Sequence, residues 1–315
     1  MSIKTLLAVL LLAFANVAAA QNTRVMLDTD RGPMLLELES ATPITTANFL
    51  RYVDAGHYNS TLINRVVRNF IVQGGGFKDT GADITRFPAI ASERSVGLRN
   101  VPGTIAMALS GSPPNTASAT SDFFINTGTN TTLDPSFTAF GRVIFGLKTL
   151  QTINTTPLFP GSEQPLRIGL LKRAVRVAPG AFPILPLHTG SWYDPANNGR
   201  GFFVEVTQAS GTETGPNVLV SWYDFFEGKQ IWMVGLAPFA WGASAVEVPM
   251  LISTGGQFGA AFNPSQVTNN PSWGRLTIRF TGCDVGSFSY TSAYGNGTIP
   301  VRSLTLPTNE SCVGN

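Results

Sequence analysis

Residues 64–77 read Asn-Arg-Val-Val-Arg-Asn-Phe-Ile-Val-Gln-Gly-Gly-Gly-Phe, and residues 118–126 read Ser-Ala-Thr-Ser-Asp-Phe-Phe-Ile-Asn. The first stretch sets Arg65 at the head of an apolar run that closes on Gln73 and three glycines. The second adds paired phenylalanines, and Leu133, Phe137 and Phe140 follow as a further apolar cluster. Phe70 to Gln73 reads as a strand, and the glycine triplet allows backbone conformations barred to other residues. Together these residues offer one cation and one amide beside an apolar pocket about the size of a small ring.

Working outward, Val25–Leu27 and Met34–Leu38 read as strands meeting at the turn Asp30-Arg31-Gly32-Pro33. Thr42 followed by Pro43 reads as a helix start, with Ile44, Ala47, Leu50 and Val53 at helical spacing and Gly56 as the stop. After residue 188 the pattern changes, because all five tryptophans (192, 222, 232, 241 and 273) fall there. Six to eight strand-like runs separated by Gly, Asn and Pro follow, which predicts an all-β sandwich or barrel. Ser-Trp-Tyr-Asp occurs at 191–194 and again at 221–224, too few copies for a solenoid. Between the halves, Pro179, Pro183 and Pro186 predict an extended, semi-rigid connector.

The first twenty residues read as a secretory signal: Lys4, an apolar core from Leu6 to Leu12, and Ala18-Ala19-Ala20 as the cleavage site. The expected organisation is therefore a signal at 1–20, a first domain at 21–178, a connector at 179–187 and a β-rich domain at 188–315, in an exported protein that is periplasmic or secreted. The two cysteines, Cys283 and Cys312, read in that setting as one disulfide. The formal net charge is only +2, so nothing points to nucleic acid or a membrane surface as partner. Residues 21–187 carry 15 basic and 11 acidic groups and residues 188–315 carry 5 and 8, a weak complementarity that salt screens. His57 and His188 are the only histidines and stand in different halves, which leaves a histidine metal site or a Ser-His-Asp site without support.

Along residues 25–177 the chain resembles the cyclophilin family of peptidyl-prolyl isomerases. The resemblance rests on the two stretches above, on Gly103-Thr104-Ile105-Ala106-Met107-Ala108 and on Phe140-Gly141-Arg142-Val143, in family order. It implies an eight-stranded antiparallel barrel with capping helices, proline-containing polypeptides as substrates, and no metal or cofactor. By the same resemblance Arg65 is the catalytic arginine and Gln73 the glutamine that orients it. Phe70, Ile71, Phe124 and Leu133 form the proline pocket, and Ala108 is a backbone contact for the residue before proline.

The chemistry agrees with that assignment. Rotation about a peptide bond has a barrier of about 18–20 kcal/mol. Before proline the two isomers are close in energy, yet they exchange only over tens to hundreds of seconds. A catalyst need only hold the ring and favour the twisted amide, whose nitrogen gains a lone pair that a fixed cation can meet.

The chain also departs from the family. Asn64 stands for the usual histidine and Ile63 for phenylalanine. Leu109 replaces an asparagine that holds substrate backbone, and Asp122 replaces a glutamine. Phe137 stands where many members have histidine, and Thr132 where cyclosporin-sensitive members have tryptophan. Two other readings stay open: a non-catalytic proline-peptide-binding scaffold, and a protein whose main binder is the C-terminal β-domain, acting as a glycan or cell-surface binder through exposed tryptophans, with its ligand unknown.

Overall fold

A computed structural model describes residues 22–208 and 215–307. The proposed signal and Cys312 lie outside the described residues. The first half is built from β1 (Arg24–Thr29), β2 (Gly32–Leu38), α1 (Pro43–Asp54), β3 (Thr61–Ile63), β4 (Arg65–Val67), β5 (Ile71–Gly74), β6 (Thr104–Met107), β7 (Phe123–Asn126), β8 (Ala139–Phe145), α2 (Leu147–Asn154) and β9 (Gly169–Arg176). The strands form one antiparallel sheet in the order β3-β9-β1-β2-β8-β6-β7-β5-β4. The edge strands β3 and β4 are successive pieces of chain joined at Asn64, one paired with β9 and the other with β5. One bent strand thus brings the sheet almost full circle. That is the expected eight-stranded barrel, with its bent strand counted twice.

Helix α1 departs from its sequence reading in two ways. Its buried side comprises Thr45, Asn48, Phe49, Leu50, Tyr52 and Val53, while Ile44 is exposed and Ala47 faces out. The face has rotated toward Phe49 and Tyr52, whose rings bury more apolar area than Ile44 and Ala47 together could. Thr42 makes no side-chain cap. Buried Glu93 does that work instead, accepting from the backbone N–H groups of Ile44 (3.1 Å) and Thr45 (2.7 Å). A carboxylate suits the positive end of a helix, and it satisfies donors that have no intrahelical partner.

The second half is a closed eight-stranded barrel: β10 (Gly190–Tyr193), β11 (Gly201–Gln208), β12 (Pro216–Phe226), β13 (Lys229–Pro238), β14 (Ala245–Gly255), β15 (Val267–Phe280), β16 (Val285–Ser292) and β17 (Gly295–Ser303). Each strand pairs antiparallel with the next, and β17 returns to β10 through Trp192↔Ser303 and Tyr193↔Arg302. Of the two expected architectures, sandwich or barrel, it is the barrel. Inward positions alternate along β12 as Val218, Val220 and Trp222, the period-2 signature of a strand with one buried face.

The halves share apolar packing. Val25 and Leu27 point into the first barrel, whereas Met26 between them packs with the second. Leu35, Ile144 and Phe145 do the same from β2 and β8. Strands covered on both faces read as continuous apolar runs, which is why Val25-Met26-Leu27 and Met34-Leu35-Leu36 do not alternate. The connector lies in the same cluster, with Ile184 and Leu185 fully buried and the Ile184 N–H bonded to the Ala243 carbonyl at 2.8 Å.

Candidate active site

The short β4–β5 hairpin turns at Asn69, a non-glycine residue in the left-handed region (φ 56°), and sets Arg65 directly across from Gln73. Arg65 Nη1 donates to Gln73 Oε1 at 3.0 Å. Its Nε donates to Glu163 Oε2 at 2.5 Å, and the Val66 N–H bonds the Glu163 carbonyl at 2.8 Å. Among the described residues Nη2 makes no hydrogen bond. The guanidinium plane is therefore held at two points, with one edge unused.

Across the sheet Gln73 faces Phe124 of β7. Arg65, Phe70, Ile71, Gln73, Ala108, Leu109, Phe124, Leu133 and Phe137 surround one cavity of about 270 Å³. These are nine of the ten candidate site residues. Ile71 and Phe124 are buried at its floor, and Phe137 meets Phe124 edge-on at 5.5 Å between ring centroids.

The tenth candidate, Asp122, lies in a neighbouring cavity of about 370 Å³ that shares Gln73, Ala108 and Leu109 with the first. There Asp122 accepts from Ser121 Oγ (3.0 Å) and faces Arg86 at 3.5 Å. The glycine triplet permits this closeness: a Cβ on Gly75 would sit 2.9 Å from the Ser121 carbonyl, and one on Gly76 would strike Asp122. Fully buried Tyr58 donates to the same Ser121 carbonyl at 2.7 Å, and burial pushes its phenol well above the usual range.

Two supports were not picked out from the sequence. Glu163 stands 98 residues from Arg65, on the connection before β9, and no local pattern marks it. Behind the pocket, buried Asn126 donates to Asn100 Oδ1 (3.1 Å) and accepts from Asn130 Nδ2 (2.8 Å), and Asn130 in turn donates to the Phe70 carbonyl at 2.7 Å. Asn126 ends the quoted Phe-Phe-Ile-Asn stretch. A polar residue closing an apolar run was its only signal.

Similarity to known proteins runs through the first barrel. Residues 24–172 match the family described as cyclophilin type peptidyl-prolyl cis-trans isomerase/CLD. Peptidyl-prolyl cis-trans isomerase A of Dickeya dadantii is 41% identical over 130 residues, covering 41% of this chain and 67% of that protein. A peptidyl-prolyl cis-trans isomerase of Acinetobacter baylyi is 36% identical over 162 residues, covering 50% of this chain and 85% of its own. A Cryptosporidium parvum cyclophilin-type isomerase, crystallised in the presence of the dipeptide Ala-Pro, is similar over 49% of this chain and 99% of its own, at 26% identity and a TM-score of 0.41. The chain belongs to the cyclophilin-type peptidyl-prolyl cis-trans isomerases, and that is its enzyme class. The second barrel lies beyond the matched residues. Among the described residues no helix is long and apolar enough to cross a membrane.

Proposed function

We propose that the chain is an exported isomerase that assists the folding of other exported proteins, with Arg65 as the group that stabilises the twisted prolyl amide. The observation that carries this is the Arg65–Gln73 hydrogen bond of 3.0 Å at the rim of an apolar cavity of ring size. In this reading the proline ring enters against Phe70, Ile71, Phe124 and Leu133. Gln73 and Glu163 hold the guanidinium, and its free edge donates to the prolyl nitrogen as that atom becomes pyramidal. The planar amide has no such lone pair, so the interaction strengthens on the way to the transition state, which is the requirement for catalysis. Ala108 supplies backbone contact to the preceding residue. Leu109, Asp122 and Phe137 change the neighbouring surface and so the preference among substrate sequences.

The proposed layout keeps 21–178 as the isomerase unit, 179–187 as the connector and 188–315 as the accessory β-domain, with a Cys283–Cys312 disulfide formed after export. A protease-coupled proline-isomerisation assay on the full mature chain tests the reading. Acceleration of cis-to-trans exchange in a short prolyl peptide is expected. No acceleration on any prolyl peptide would hand the site to the proline-binding scaffold reading.

A further inference from the structure

The outside of the C-terminal barrel has two unlike sides. One end of the barrel is covered by the first half: a Cβ on Gly242 would lie 3.1 Å from Val175, and the Ile184 N–H bonds the Ala243 carbonyl. One flank is left open. Phe203 on β11, Tyr223 and Phe225 on β12, and Trp232 and Leu236 on β13 point outward between buried neighbours and are each 41–55% exposed. The other four tryptophans are buried. On the far side of the same barrel the outward positions hold Arg275 and Arg279 on β15, Ser289 and Thr291 on β16, and Thr298 and Arg302 on β17. That polar side is what a strand turns toward water, whereas an aromatic side is what it turns toward another layer.

The outward residues form one continuous surface. Tyr223 stands directly opposite Trp232, and Phe203, Ser221, Val234 and Leu251 make a row across four strands. Leu219 and Leu236 pair in the row beyond. Direct neighbours in such rows lie about 4.5–5.5 Å apart, within reach of one another's side chains. Small residues sit among the large ones: Gly201 pairs with Tyr223, and Ser221 lies between Phe203 and Val234. The face therefore carries both ridges and dips. From Leu219 to Phe225 and from Gln230 to Leu236 no outward position is charged.

We infer that this flank is a docking surface for a second copy of the chain, packed face to face about a two-fold axis. Burying an aromatic ring removes about 150–250 Å² from water, so four rings left half exposed offer about 300–500 Å². Two copies bury about 600–1,000 Å² through the rings alone, and Leu219, Val234, Leu236 and Leu251 carry the total past the ~1,000 Å² that a specific interface needs. A two-fold axis sets the ridges of one copy against the dips of the other, and an uncharged face needs no charged complement. Other occupants fit less well. The nearest charges are Glu205 and Glu227 against Lys229, with Glu247 already paired to Arg275, so no basic cluster flanks the face to draw anionic lipid headgroups. The barrel is closed and offers no free strand edge, so an extended client chain would find no backbone partners here.

The test is sedimentation velocity on the full mature chain between about 1 and about 200 µM, a range suited to interfaces at the small end of the size scale. A weight-average sedimentation coefficient that climbs from monomer toward dimer is expected. Tyr223→Lys combined with Trp232→Lys sets like charges against each other across the axis and weakens association by at least about 100-fold, with the thermal melt unchanged. Ser289→Lys, on the polar side, dimerises as the wild type does. Leu236→Lys stands in if the double variant loses its native circular dichroism. The same proteins are also mixed with a reduced, carboxymethylated unfolded polypeptide and with phosphatidylglycerol vesicles. A monomer at every concentration, a dimer that the lysines leave intact, or a monomer that holds the unfolded chain or the vesicles through this face overturns the assignment.

Discussion

Arg65→Ala should separate catalysis from stability. The Arg65 side chain is 37% exposed and its ionic partner Glu163 is 54% exposed. Ion pairs at such exposure contribute about 0–1 kcal/mol. For a unit of this size the loss lowers the melting temperature by no more than about 4 °C. If Arg65 donates to the twisted amide, its removal costs on the order of 10²–10³ in kcat/KM, by analogy with removing one preorganised oxyanion donor. Arg65→Lys keeps the charge, but a single ammonium cannot reproduce a planar fork that meets Gln73 and Glu163 at once. Its activity should fall between wild type and Arg65→Ala. Glu163→Gln keeps an acceptor and drops the charge, so about a two- to five-fold loss is expected. Phe124→Ala is the contrast: it empties a buried site and should cost roughly 3–5 kcal/mol of stability along with activity. The assay is kcat/KM on a short prolyl peptide beside a thermal melt of each full-length variant. Wild-type activity in Arg65→Ala with an unchanged melt would refute the mechanism.

Three further outcomes are expected. His188 is buried, stacks on Phe280 at 3.6 Å between ring centroids and accepts from the Leu185 N–H, and burial lowers its imidazole from 6.5 to about 3. Because the folded value is depressed, the unfolded chain binds the extra proton first. Stability should therefore drain away as pH falls from about 6.5 toward 3, by at most roughly 5 kcal/mol, and melts followed by tryptophan fluorescence at pH 7 and pH 4 should show a difference that shrinks in His188→Asn. Reduction of the proposed Cys283–Cys312 disulfide opens a loop of about 30 residues, worth roughly 3–4 kcal/mol in the chain-entropy model, so it should lower the melt of the second barrel and spare isomerase activity. Two free thiols per native chain would refute the pairing. Thr132 gives neither the indole donor nor its apolar area, so cyclosporin should inhibit only at micromolar or higher concentration, and stoichiometric inhibition at nanomolar enzyme would contradict this.

What the sequence revealed and what it hid divide along physical lines. Arg65, Phe70, Ile71 and Gln73 sit within nine residues, with Phe70 on the tight turn that joins the strands carrying the other three, so their meeting is a local consequence of hairpin pairing. Phe124 joins them because β7 lies beside β5, a step that a match of ordered motifs supplies and periodicity alone does not. Glu93 at the start of α1 and Glu163 on Arg65 are long-range partners whose sequence surroundings are ordinary loop. No spacing rule reaches 48 or 98 residues along a chain. The rotation of α1 had a different cause: apolar periodicity counts positions equally, whereas packing follows the larger area of Phe49 and Tyr52. Closure of the second barrel was open for a similar reason. Alternating strands are common to sandwiches and barrels, and only the β10–β17 pairing tells them apart.

The shared apolar cluster also explains the composition of the first barrel. Met26, Leu35, Ile144 and Phe145 are each at most 6% exposed, yet they point away from the core formed by Val25, Leu27, Leu36 and Val143. In a lone barrel of this fold such positions would form a contiguous apolar patch open to water, which soluble monomers rarely tolerate. Here they are covered by Ile184, Leu185 and the end of the second barrel that carries Trp241. The connector is correspondingly apolar between its prolines. The unequal charges of the halves, +4 and −3, add little beside this burial, because contact between exposed charges is screened at physiological salt. Apolar area holds the barrels together, so changes at Met26 or Ile184 should be felt by both halves, whereas changes at Arg65 stay local.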